Sequence, residues 1–214
     1  MKKNVFIQKL IRAYRKYGIK GLCGRFWVKI WHTVYSKPDV IYFSDLQTLE
    51  TPSTQAQEPF RVVERTSMEA LQTGELEAID EYIGPEIAMR MFEERFSKQS
   101  SLWLLKKEND CVGMIWTIVG TTIEPFYYHI GRRDVHFYNN EIFLPFRGRG
   151  YNTGLIESVL WAMKERGLVR AYIETNLRNS KELRSLEKTD FEKMGLAAKL
   201  NVGKRNITQW RRSN

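Results

Sequence analysis

The sequence predicts an α/β (α+β) fold, with strands and helices interleaved in one domain behind a basic, amphipathic helical extension. Three observations predict it. An apolar run at 141–144 breaks at Pro145, passes a glycine-rich turn and opens into an amphipathic helix followed by a β-forming stretch. Two further segments, 102–119 and 196–210, read as hairpins. Finally, 43% apolar and 13% aromatic content over 214 residues supplies one domain core with an extension to spare.

The elements follow in order. In the extension, residues 1–43, Phe6, Ile7, Leu10, Ile11 and Tyr14 recur at spacings of three and four. So do Leu22, Phe26, Trp27, Ile30, Trp31, Val34 and Tyr35, giving two amphipathic helices broken near Gly18 and Gly21. A short strand is expected at 40–43. Residues 44–59 turn polar and read as a linker, and 60–64 is the first strand of the domain. Residues 68–98 are helical in parts, interrupted at Gly84-Pro85. The acids Glu75, Glu77, Asp80 and Glu81 there form either a solvated face or the border of an acceptor cleft.

Residues 102–105 and 111–119 pair around a turn at 108–110. Residues 135–138 and 141–144 make one strand, bulged at Asn139-Asn140. The next helix carries Leu155, Ile156, Val159, Leu160 and Met163 on one face, with Gly167 as its C-cap. Residues 168–174 form a strand, a helix begins near Asn179, and 196–202 and 206–210 close a hairpin around Gly203-Lys204.

Composition bounds the chemistry. Of 34 basic and 25 acidic residues, ten basic and no acidic ones fall in 1–38, leaving 24 against 25 elsewhere. The near-neutral remainder argues against a nucleic-acid-binding core. A basic face opposite Trp, Phe and Ile suits an anionic membrane surface. The same face also suits packing on the domain or a homodimer, with RNA contact a third use. No uncharged run approaches the roughly 18 residues of a membrane span, and the apolar stretches lack the shape of a cleavable signal. Cys23 and Cys111 give neither metal spacing nor a disulfide framework, and His32, His129 and His136 form no ligand set. A reduced, cytoplasmic setting is the default, peripheral on the inner face of the membrane if the extension binds it.

The richest stretch is 147–154, Arg-Gly-Arg-Gly-Tyr-Asn-Thr-Gly. A strand, a turn of free N–H groups and a helix N-terminus make an anion site. Gly148 and Gly150 let the main chain approach a ligand, and Arg147 and Arg149 add charge. A phosphate or pyrophosphate fits. The dinucleotide pattern G-x-G-x-x-G fails because the third glycine, Gly154, comes one residue late, and no Gly-Lys-Ser/Thr follows for a P-loop.

Arg147-Gly-Arg-Gly-Tyr-Asn152 resembles the pyrophosphate loop of the GNAT superfamily of acyl-CoA-dependent N-acyltransferases, Arg/Gln-x-x-Gly-x-Gly/Ala. The family's later block, an Asn-led helix closing in Tyr-Glu-Lys-Leu-Gly-Phe, is similar in two registers. One runs without gaps from Asn179 to 186–191; the other, 191–196, needs a longer helix. Asn152 replaces the loop's last Gly/Ala, though it can still cap the helix. The family's tyrosine acid falls on Leu186 or Phe191, which have no proton to donate.

The resemblance implies a GNAT-like mixed, mostly antiparallel sheet flanked by helices over 60–214, with two parallel strands that splay. It implies acetyl-CoA or another acyl-CoA as co-substrate, and no metal. The pyrophosphate would lie on Arg147, Gly148, Arg149, Gly150, Tyr151, Asn152 and Thr153, with Tyr151 shielding the cofactor. The backbone of Ile142, Phe143 and Leu144 would pair with pantetheine, and Asn179 would contact the CoA arm or lie near the leaving thiolate. Glu141 is the first candidate base; His136 and Tyr138 read as packing or surface. The implied reaction is transfer of an acetyl or short acyl group to an amine, such as an amino sugar or lipid-linked precursor. The alternative is a catalytically silent CoA-binding or membrane-associated interaction module.

Overall fold

The computed structural model of the chain describes residues 38–50, 60–123, 126–127, 129–202 and 205–212. The amphipathic helices expected in 1–37, most of the linker and the turn at Gly203-Lys204 lie outside these residues. The eight strands of the described residues form one sheet in the order β2-β3-β4-β5-β6-β1-β7-β8. They are β1 Asp39–Asp45, β2 Phe60–Arg65, β3 Ser101–Lys107, β4 Asp110–Val119, β5 Asp134–Ile142, β6 Arg170–Asn176, β7 Glu192–Val202 and β8 Arg205–Arg212. Every neighbouring pair is antiparallel except β5 and β6. The sheet is mixed and mostly antiparallel.

β1 lies between β6 and β7, with Ile41 opposite both Glu174 and Gly195. Val40, Ile41 and Tyr42 are buried, as a strand covered on both faces requires. The boundary expected at residue 43 therefore falls inside a central strand, while the strand expected to open the domain, β2, is an edge.

Among the described residues, four helices flank the sheet: α1 Thr73–Ile83, α2 Pro85–Ser97, α3 Tyr151–Glu165 and α4 Ser180–Leu186. Gly84, at φ 89°, ends α1, and Pro85 opens α2 where its missing N–H costs nothing. α3 buries Leu155, Ile156, Val159, Leu160 and Met163 against Ile115, Val135, Phe137 and Ile173. On the opposite face Ile79, Ala88 and Phe92 of α1 and α2 pack on Leu102, Leu104, Met114 and Trp116. α1 is also tied down electrostatically. Glu75, 1% exposed, accepts from Arg65 at 2.8 and 2.9 Å and from Lys106 at 3.0 Å. Glu75 is thus no cleft residue, and Glu77 and Glu81 are solvated.

Two features of β5 make the site. Glu141 faces Met114 and Tyr138 faces Trp116, so Asn139 and Asn140 oppose the single residue Ile115, and Asn139 takes φ 47°. This is the expected bulge. Parallel pairing with β6 stops at Phe137 and Ile173, although both strands continue. The strand ends at Ile142 rather than 144, because Pro145 starts a 3-10 turn, Leu144–Phe146.

Candidate functional site

Where β5 and β6 part, a cleft of about 860 Å³ opens between the loop, α3 and α4. Gly148 and Gly150 adopt φ 78° and 80°, and a Cβ added at either would meet nothing within 4 Å. The turn thus presents open main chain, and Gly150 caps α3 without a side-chain bond to its N–H groups. Asn152 is not the cap. Its Nδ2 donates to Ser185 Oγ at 2.7 Å, tying α3 to α4. Asn140, at the bulge, donates to Glu182 Oε1 of α4 at 2.9 Å. Asn140 Oδ1 and Asn152 Oδ1 are both shielded from water and accept no hydrogen bond. Burial, followed by the Glu141 charge, pushes the Glu182 carboxyl above its ordinary range.

Other expected residues are placed as follows. Asn179 lines the cleft and caps α4 by accepting from the Glu182 N–H at 3.4 Å. Tyr151 lines the cleft edge and packs on Phe60, ring centroids 4.6 Å apart. Thr153 lines it too, and Arg149 is exposed beside it. Of 142–144 only Ile142 reaches this cleft. The Phe143 N–H donates to Val112 O at 2.9 Å, and Leu144, 67% exposed, faces a second cleft. The main chain left unpaired toward β6 is therefore 138–141. His136 is buried with Nε2 2.6 Å from Glu174 Oε2, and Glu174 lines the cleft. Tyr138 is buried too, its phenol pushed up to about 12 by burial.

The second cleft, about 520 Å³, lies between α1, α2 and β4–β5. Glu141 lines both clefts. Its Oε2 accepts from Tyr82 OH at 2.8 Å and from Arg147 Nη2 at 3.1 Å. Arg147 also donates from Nε to Ile142 O at 2.7 Å and from Nη2 to Tyr82 OH at 2.5 Å. It therefore clamps the Glu141 carboxylate and, like Glu141, lines both clefts. Burial and the neighbouring Glu141 raise the Tyr82 phenol, so it keeps its proton.

The gapless register of the late block is the structural one. α4 ends at Leu186, and Phe191 precedes β7; both side chains are core. Tyr82, Glu182 and Asn140 were missed from sequence. Glu182 looks there like an ordinary first-turn acid, and Tyr82 like one more residue on a helix. Among the described residues no cluster of three His, Cys, Asp or Glu could hold a metal ion, and no helix is long and apolar enough to cross a membrane. Burial pushes the Cys111 thiol up to about 12, leaving it inert.

The residues present fit acyl-CoA. The glycine turn offers uncapped N–H groups to a pyrophosphate, and the two orphaned amide oxygens face the need of pantetheine N–H donors. The raised Glu182 carboxyl is displaced toward its neutral form, which lessens repulsion of an anion beside it.

No family model and no curated protein matches the chain. Solved structures match its fold. A GCN5-related N-acetyltransferase from Sphaerobacter thermophilus superposes with TM-score 0.52 at 15% identity, over 79% of this chain and 53% of that one. A GNAT-family acetyltransferase from Colwellia psychrerythraea gives 0.54 at 10%, over 84% and 57%. The GCN5-related glucosamine N-acetyltransferase region of a fungal multi-domain GH3 β-N-acetylglucosaminidase gives 0.53 at 13%, over 75% and 20%. The fold is that of the GNAT superfamily, and the chain spans less than two thirds of the length of each of these proteins.

Proposed function

We propose that the chain is an acyltransferase moving an acetyl or short acyl group from acyl-CoA to an amine acceptor. The observation that carries this reading is the position of Glu141, a carboxylate shared by the cleft at the glycine turn and the cleft between α1, α2 and β4–β5. Bound acyl-CoA would supply an activated acyl carbonyl. Loop N–H groups at 148–152 hold the pyrophosphate with the α3 dipole. Asn140 Oδ1 and Asn152 Oδ1 accept from the amides of the arm. An amine arrives protonated, and Glu141 takes that proton as general base. Tyr82 and Arg147 donate to Glu141 and fix its orientation. Residues 1–38, with ten basic residues and no acid, would hold the enzyme at an anionic membrane. Vesicle sedimentation with and without them checks this, and equal neglect of anionic vesicles by both proteins removes it.

Calorimetric titration of acetyl-CoA into the wild type and R149E tests the reading. Micromolar binding is expected, weakened at least about tenfold by the charge reversal. A folded wild type that ignores acetyl-CoA overturns it. One observation favours a silent CoA-binding module instead: Leu186 is core where the family carries its acid. Thiol release across a panel of amines separates the two.

A further inference from the structure

The second cleft contains a cation with no ion-pair partner among the described residues. Arg95, in the last turn of α2, lines the cleft with its guanidinium carbon 4.9 Å from the Trp116 ring centroid and 5.2 Å from that of Tyr138. The rings cover its faces by cation–π contact. They do nothing for its edges, where five N–H donors need in-plane acceptors. Nη1 is shielded from water and has no hydrogen-bond partner.

Two nearby acids among the described residues are already engaged. Glu94 pairs with Lys98 at 2.8 Å, and Glu141 with Arg147 at 3.1 Å. No acidic side chain among the described residues forms an ion pair with Arg95. Burial pulls its pKa down, and the opposing influence of Tyr138 and Glu94 does not reverse the shift. A half-buried guanidinium without an anion is costly unless something supplies the anion. With Glu141 and Arg147 cancelling, the cleft carries one net positive charge. Apart from Tyr82 and Asn139, its remaining wall is apolar: Ile83, Ile87, Met91, Met114 and Leu144.

We propose that Arg95 recognises an oxyanion, carboxylate or phosphate, on the acceptor, so that the acceptors are amines with an apolar body and an anionic group. This rests on the acyl-transfer reading for the word acceptor, but the oxyanion site itself does not. An arginine fork meets a carboxylate or phosphate in two parallel hydrogen bonds. The apolar wall takes the body, and the amine is left toward Glu141.

The test has a binding arm and a kinetic arm, both on the full chain. In the first, thermal unfolding of wild type, R95Q and R95K is followed with millimolar phosphate or acetate against chloride at equal ionic strength. Protection of the wild type that is lost in R95Q supports the site; R95K, which keeps the charge and loses the fork, guards against a folding artefact. Equal protection of all three, or none, overturns it.

The second arm compares leucine with leucinamide and O-phosphoethanolamine with ethanolamine as acceptors. The anionic member of at least one pair should be preferred, and R95Q should reduce that preference by about 10- to 100-fold, through KM, sparing the neutral amines. The pair that responds tells carboxylate from phosphate. Acetyl-CoA binding with no such preference overturns the inference while the acyltransferase reading stands. Protection by phosphate in a protein that ignores acetyl-CoA does the reverse.

Discussion

The two clefts meet at Glu141 and are built from different materials. The first joins open main chain and amides, namely two glycines, an uncapped helix N-terminus and the oxygens of Asn140 and Asn152, to a rim of charged side chains from β6 and α4, Glu174, Lys181, Glu182 and Arg184 among them. The second is charged and aromatic side chains from separate elements: Tyr82, Arg95, Glu141 and Arg147. Main-chain donors grip any ligand with a pyrophosphate and an amide arm, whatever acyl group it carries. Side chains at fixed positions discriminate. On the proposed acyl-transfer reading, acceptor identity would be a property of the second cleft, and substitutions there should change chemistry while leaving the first cleft's grip intact.

The sharpest way to break this division is E141Q. Glutamine keeps the acceptor oxygen for Tyr82 and loses the base. Initial-rate thiol release should fall by about 10²–10⁴-fold, the usual contribution of a positioned base, with acetyl-CoA affinity unchanged by calorimetry. A drop below tenfold would remove Glu141 as the base. A matching loss of acetyl-CoA affinity would mean that the two clefts are one site.

The next effect is on stability, and it is confined to the second cleft's support. α1 carries Tyr82, and Glu75 ties α1 to β2 and β3. Its removal strands Lys106, whose side chain is 6% exposed, and Arg65 without their anion. E75Q should cost about 3–5 kcal/mol, a fall in Tm of roughly 10 °C for a domain this size. Burial alone would raise the Glu75 carboxyl; bonds from Arg65, the Gln72 N–H and Lys106 outweigh it and hold the pKa below the ordinary range. Because the folded value lies below the unfolded one, the stabilisation is present above the unfolded carboxylate pKa. It is lost as pH falls through the depressed folded value. Hydrogen exchange on acidification should release 73–83 before 151–165. Simultaneous release would show that the ion cluster is no separate anchor.

What the sequence made legible follows the same division. The first cleft depends on local chemistry: Gly148, Gly150, the Asn139-Asn140 bulge and the stripe of α3 are all marked within a few residues of where they act. The Gly84-Pro85 break was legible for the same reason. β1 was not, because a seven-residue strand carries no sign that its partners lie at 170–176 and 192–197. Arg147 was legible only in part. In sequence it is one of two loop cations, and nothing there shows that its side chain folds back five residues to the Ile142 carbonyl and pairs with Glu141. Tyr82 and Arg95 become site residues only when α1 and α2 pack on β4, which no local pattern announces.

The smallest effect bears on how much charge contributes to holding the first cleft together. Glu182 is its one half-buried acid on α4, and burial followed by the Glu141 charge raises its pKa. A folded value above the unfolded one means that the folded state holds the proton more tightly. Stability therefore falls as pH rises from the unfolded carboxylate value to the raised folded one, and stays level above it. Glutamine at 182 keeps the oxygen that accepts from Asn140 and removes this dependence. E182Q should gain about one or two degrees in Tm at neutral pH. It should also bind acetyl-CoA roughly two- to fivefold more tightly at low salt, since a like charge leaves the neighbourhood of the pyrophosphate. Thermal unfolding across pH 4–8 and calorimetry at two salt concentrations measure both. If E182Q is instead less stable at neutral pH, the Asn140 bond requires a carboxylate, and the first cleft is held together by charge as the second one is.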